Sequence, residues 1–227
     1  MKLRKSLLIY AISLTVLSFI LIVNIFNAKA DSTKIAPVKT ETEVAEEVQN
    51  GGKILLEPTE KMWKNAIDMT SNHKQENEQL QKWIIRIIME ETLKNNEIKI
   101  ADAVKAAKER YAFEQAWLEL AAEKYKITYT DDEVDEWIKN GPDKYPIPAM
   151  EVQAKALGLT LEEMNHSYDR DFYVKWVVWD KLLPILAENN DIAIKNVEVS
   201  TDKSSPHNLL VEKYEEEVKQ FLNEKGL

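Results

Sequence analysis

The chain reads as a mainly α-helical domain carried behind one transmembrane or signal helix. Three observations predict this. Only 5 glycines occur in 227 residues, so turns are few. Strong helix formers, Glu, Lys and Ala, recur throughout, and apolar residues return at helical spacing in one segment after another. The N-terminus carries a basic head and then a long uncharged apolar run.

Lys2, Arg4 and Lys5 form that head, and residues 6–23 are uncharged and rich in Leu, Ile, Val and Phe. A helix rises 1.5 Å per residue, so about 20 such residues span the hydrocarbon core of a bilayer. The basic head belongs in the cytoplasm, which places the rest of the chain outside. Two fates fit residues 1–30. The length of the apolar run suits a retained signal-anchor, giving a single-pass membrane protein with its C-terminal domain outside. Ala28-Lys29-Ala30 supplies the small-x-small pattern of a cleavage site, giving a protein secreted after cleavage following Ala30.

Residues 31–52 hold a proline, many charges and few large apolar groups, and read as a flexible extracytoplasmic tether ending at Gly51 and Gly52. All 39 acidic residues but only 26 of the 30 basic ones follow Ala30, a formal charge of −13 for residues 31–227. That excess excludes the basic footprint of a nucleic-acid binder. There is no cysteine, which excludes disulfides, cysteine metal sites and a lipidated cysteine. Residues 53–227 must therefore be held together by core packing alone.

The helical reading of that domain proceeds in order. Residues 58–70 form a first helix with Met62, Trp63, Ala66 and Ile67 on its apolar side. Residues 76–94 follow, with Leu80, Ile84, Ile87 and Ile88 on one stripe widened by Trp83. A long helix spans about 100–125, with Phe113, Trp117, Leu120 and Ala121 at helical spacing. Thr130 with Glu133 is a capping box that opens a short helix lined by Val134, Trp137 and Ile138. Gly141 and Pro142 stop it, and Pro142, Pro146 and Pro148 stiffen the connection. A short helix covers Met150 to Leu157 and ends at Gly158 in a left-handed cap. Thr160 with Glu163 boxes the start of the clearest helix, which runs to about Leu186, with Pro184 kinking or ending it. Residues 192–200 alternate well enough for a short extended segment. Ser205-Pro206 starts a final helix over 208–224, lined by Leu210, Tyr214, Val218 and Leu222, which is expected to pack back on the earlier helices.

No catalytic motif stands out. His73, His166 and His207 share no metal-ligand spacing. His166 lies near Asp169 and Asp171, which could be read as half of a metal site, but carboxylates and a histidine near a helix are common on solvated faces, and the surface reading is the one expected. Paired acids such as Glu162 and Glu163 suit a helix start and give no sign of a hydrolase cleft. No nucleophile elbow or phosphate-binding glycine loop is present. No cofactor, metal or catalytic residue is expected.

Aromatic residues are the more informative signal. Trp83, Trp117, Trp137, Trp176 and Trp179 lie on or beside apolar stripes. They either fill a helical core or, some of them, line an open groove for apolar peptide segments, for which indole offers large area and one donor. The candidate peptide-binding surface is Trp137, Tyr145, Met150, Tyr168 and Trp176.

Two blocks carry a family resemblance. In YAFEQAWLELAAEKYKITYTDDEVDEWI, residues 111–138, an Ala-rich charged helix end leads through Ile127 and Thr128 to Thr130-Asp131-Asp132-Glu133-Val134. In ALGLTLEEMNHSYDRDFYVKWVVWDKLL, residues 156–183, a Gly158 turn enters a helix through Leu159, Thr160, Glu162 and Glu163. The stretch resembles the N-terminal helical domain of SurA and PrsA-type extracytoplasmic folding factors. The resemblance covers about a third of the chain closely and rests mostly on caps and packing positions. It implies a helical domain that binds unfolded or extended segments of exported proteins. The parvulin-type isomerase domain that often follows in the family does not fit in the residues after Leu186, so no isomerase activity is expected. The family's Val-Asn-Gly entry strand is also missing, and Gly52–Leu56 replaces it poorly.

The expected function is a non-enzymatic, chaperone-like peptide-binding module outside the membrane. A structural or regulatory domain holding one specific envelope protein is the alternative, and a peptidyl-prolyl isomerase the least favoured. A broad wet groove suits many clients and a compact patch suits one partner.

Overall fold

The computed structural model describes residues 56–75, 77–194 and 204–226. These residues are mainly helical, and no strand occurs among them. Helix α1 is Glu60–Thr70, capped by the Thr59 side chain, which accepts from the Met62 N–H. Helix α2 is Glu78–Leu93, where the Asn77 side chain accepts from the N–H groups of Gln79 and Leu80. Helix α3, Ile100–Tyr125, closes on Lys126 in the left-handed conformation at φ 59°. Both sequence-level capping boxes form: Thr130–Glu133 opens α4, Asp131–Asn140, and Thr160–Glu163 opens α6, Leu161–Glu163. Between them α5, Pro148–Leu157, starts on Pro148, where the missing N–H costs nothing, and ends at Gly158 with φ 71°.

The helix expected to run unbroken from Thr160 is interrupted. After α6 the chain widens into a π-helical turn, Met164–Tyr168, and passes through Asp169 before α7, Arg170–Asn189. Polar pinning on both sides explains the break. On one side Asn165 is buried, donating to Asp143 at 2.9 Å and accepting from the Tyr173 hydroxyl at 3.0 Å. On the other, the Tyr168 carbonyl that the break exposes accepts from Lys82 Nζ at 2.6 Å and Arg86 at 3.3 Å. Pro184 does not end α7, which continues to Asn189. Helix α8, Pro206–Lys225, is capped by Ser205, whose side chain accepts from the Asn208 N–H. The extended segment expected at 192–200 lies outside the described residues from 195 onward, as does the N-terminal apolar run. Among the described residues no helix is long and apolar enough to cross a membrane.

Helix α3 organises the packing. Its N-terminal half, with α1 and α2, encloses Trp63, Ala66, Trp83, Ile84, Ile88, Ala103 and Ala107. Its C-terminal half packs Phe113, Trp117, Leu120 and Ala121 against Val178, Trp179 and Leu182 of α7 and Leu210, Tyr214 and Val218 of α8. The Tyr214 hydroxyl donates to the Trp117 carbonyl at 2.8 Å, tying α8 to the middle of α3. Helix α4 lies on α7 through Val134 and Ile138, against Tyr173, Val174 and Val177. Helix α5 and the π turn share a small cluster of Met150, Ala154 and Met164. The apolar stripes thus meet as their periodicity requires, and the α4–α7 seam brings an aromatic surface to the outside.

Candidate functional site

The α4–α7 seam carries the aromatic groups nearest to a binding surface. Helical spacing aligns Tyr173, Trp176 and Asp180 along one side of α7. Trp137 of α4 lies over them. Its ring is nearly parallel to that of Trp176, at 12° with centroids 6.4 Å apart, and tilts 31° against Tyr173 at 5.5 Å. Its indole N–H donates to Asp180 Oδ2 at 3.2 Å. Both indoles are half-buried. The turn closing α4 continues this surface: Gly141 donates to the Trp137 carbonyl, and Tyr145 donates its N–H to the Gly141 carbonyl at 3.0 Å. Tyr145 is exposed.

The five sequence-predicted residues therefore separate. Trp137 and Trp176 come together, and Tyr145 follows on the same turn. Met150 is interior: at 3 % exposure it belongs to the core between α5 and the π turn, against which Tyr168 and Trp176 both pack. Tyr168 is turned inward, its ring 5.4 Å from Lys82 Nζ and 5.7 Å from the Arg86 guanidinium. Burial pushes its phenol well above the usual tyrosine range, with Arg86 opposing. Sequence reasoning missed Tyr173 and Asp180. Asp180 sits four residues after Trp176, and that spacing was the available signal.

A second polar constellation is buried beneath. Arg86 of α2 pairs with Asp171 (Nη1–Oδ2 2.5 Å, Nη2–Oδ1 2.8 Å) and with Asp169 at 3.0 Å. Its guanidinium also lies 3.9 Å from the centre of the Phe172 ring and 4.8 Å from that of Trp83. Gln153 of α5 donates to the other Asp169 oxygen at 2.9 Å. Burial opposes the charge on Arg86, but Asp171 and Asp169 outweigh it and keep the guanidinium protonated. The same balance, won by Arg86 and Lys82, lowers the pKa of Asp171, whereas burial wins at Asp169 and raises it. Both Nη atoms of Arg86 are engaged while its Nε is buried without a hydrogen-bond partner, and the cluster ties α2, α5, the π turn and α7 together. An Arg inside the apolar run Ile84–Ile88 was the sequence signal for it.

His166 lies at the rim, its Nε2 2.9 Å from Asp143 and its Nδ1 3.5 Å from Asp135. Asp135 is also paired with Arg170, whose other nitrogen reaches Asp131 at 3.0 Å. Arg170 occupies the place where a cation would be needed, and among the described residues no group of acids and histidines is arranged to hold a metal ion. His207 lies far along the chain and inside the α7–α8 core, and His73 follows α1.

Comparison with protein families, curated proteins and solved structures finds no match to this chain. The likeness to the extracytoplasmic folding factors therefore rests on the residues quoted for it.

Proposed function

We propose that this chain is a non-enzymatic, chaperone-like binding module that works outside the membrane, tethered by its N-terminal helix or released from it. Its clients are extended apolar segments of exported proteins, engaged without ATP or cofactor. The observation that carries the reading is the half-buried, near-parallel Trp137–Trp176 pair, followed by the exposed Tyr145 on the turn that closes α4. A large amphipathic ring at a helical seam gives contact area at low entropic cost. The basic-head apolar N-terminus, the acidic domain and the likeness to the helical domain of SurA and PrsA-type factors support the same reading.

A specific observation favours a second reading, a domain dedicated to one envelope protein. Two of the five candidate residues are committed to the interior, and the large exposed apolar residues described, among them Leu56, Met69, Tyr129 and Leu209, are spread over different elements. A small aromatic patch suits one partner better than many.

The discriminating experiment follows aggregation of an unfolded exported protein with the full chain held in nanodiscs, against empty nanodiscs. A variant carrying Trp137→Ala and Trp176→Ala, checked for helix content, serves as control. Suppression near stoichiometric amounts that disappears in the variant is expected of the chaperone-like module. A folded wild-type chain that gives no suppression leaves the dedicated partner as the function.

A further inference from the structure

Asp180 has the features of half an ion pair. Its carboxylate keeps an exposed face, and its one hydrogen bond is the neutral indole N–H of Trp137 at 3.2 Å. No described lysine or arginine pairs with it. The nearest candidate by sequence, Lys181, is already engaged, with Glu133 at 2.6 Å and the Thr128 carbonyl at 2.9 Å. Lys175 of the same helix turns the other way, to Glu114 at 2.8 Å, with its ammonium 4.8 Å from the centre of the Trp117 ring. Pro184, four residues on, carries no N–H to return to the Asp180 carbonyl, so the helix gives that residue no donor there.

The aromatic surroundings complete the pattern. Trp137, held by Asp180 itself, lies against Tyr173 and Trp176 on the same side of α7, so the carboxylate sits at the edge of an aromatic row. Ring faces attract a cation, and a carboxylate at their edge fixes where it sits. Packing of α4 against α7 crowds the carboxylate and pushes its pKa up, with the Trp137 hydrogen bond opposing. A cation placed here relieves that strain on the charged form.

We infer that the Trp137–Asp180 site receives a lysine or arginine side chain of the bound polypeptide, so that the preferred segment is apolar with an embedded basic residue. This rests on the peptide-binding reading of the same surface and names its ligand class. Charge complementarity carries the choice of occupant: an acidic domain, an unmatched carboxylate and an aromatic wall favour a basic side chain over an acidic or a neutral one.

The test is calorimetric titration of the full chain, in uncharged maltoside micelles, with short extended peptides. They are identical except for one central residue: lysine, arginine, norleucine or glutamate. The lysine and arginine peptides are expected to bind about five- to tenfold more tightly than the norleucine peptide at low salt, with glutamate weakest. In Asp180→Asn, which keeps an acceptor for the Trp137 N–H, the lysine and arginine peptides are expected to bind no more tightly than the norleucine peptide. Added salt shrinks the same advantage in the wild-type chain, a readout that needs no variant. Equal affinity for lysine and norleucine peptides, or a basic preference that survives in a folded Asp180→Asn chain, overturns the inference and leaves the peptide-binding reading intact. Binding of none of the peptides overturns both.

Discussion

The indole N–H of Trp179 donates to Nε2 of His207 at 3.1 Å, with both side chains buried between α7 and α8. The bond fixes the imidazole: Nε2 accepts, so the ring proton sits on Nδ1, beside Asn208 Oδ1 at 3.3 Å. A second proton on Nε2 would face a donor in a dry interior.

Burial accordingly holds the His207 pKa below its ordinary value, with Asn208 opposing. The unfolded chain takes up a proton near pH 6.5 and the folded chain only below that. The contribution of His207 is intact above that value and is lost as pH falls from it toward the folded pKa. Thermal midpoints should therefore decline as pH falls below about 6.5, and His207→Gln should flatten that part of the profile. Trp179→Phe, leaving His207 without its donor, should cost about 1–3 kcal/mol in urea unfolding at neutral pH.

Arg86→Met should be among the most damaging single changes. It strands Asp169 in the interior, leaves the half-buried Asp171 with Lys82 as its cation, and removes a donor from the Tyr168 carbonyl. Breaking a buried ion pair from one side costs about 3–5 kcal/mol. Equilibrium urea unfolding of the variant should show a loss of that size, and Asp171→Asn a smaller one because its second cation, Lys82, keeps the Tyr168 carbonyl.

Glu215 of α8 should behave in the opposite sense. It is buried at 4 % exposure, facing Arg110 and Glu114 of α3 and Lys175 of α7, with Lys219 on its own helix, and its Oε1 makes no hydrogen bond. Burial raises its pKa, the three cations oppose this, and Glu114 adds to it. The folded chain thus binds this proton more readily than the unfolded one. Its contribution is complete below the unfolded pKa and is lost as pH rises through the folded value. Glu215→Gln should raise the thermal midpoint at pH 7 and leave it almost unchanged at pH 4, read from thermal melts at the two pH values.

Helix positions were legible in the sequence because they depend on local physics. Thr130 and Thr160 cap as their spacing with Glu133 and Glu163 requires, Gly158 adopts the left-handed turn, and Ser205-Pro206 starts the last helix. The break at Met164–Tyr168 was not legible, since it depends on Lys82 and Arg86, more than 80 residues away in the chain. The candidate surface was legible in part for the same reason. Trp137 and Trp176 stand on amphipathic edges and emerge half-exposed, whereas the burial of Met150 depends on how α5 meets the π turn. Periodicity marks a side of a helix as apolar and leaves open which neighbour covers it.

The bond between Tyr214 and the Trp117 carbonyl closes a loop of 97 residues. A chain synthesised from its N-terminus delivers α3 long before α8. During that interval Trp117, Leu120 and Ala121 have no Leu210, Tyr214 or Val218 to cover them. Closure of this half of the core thus waits for α8, and a product that stops before Pro206 leaves a bare aromatic seam of the kind that aggregates. Helix α8 is the last part of that core to be supplied.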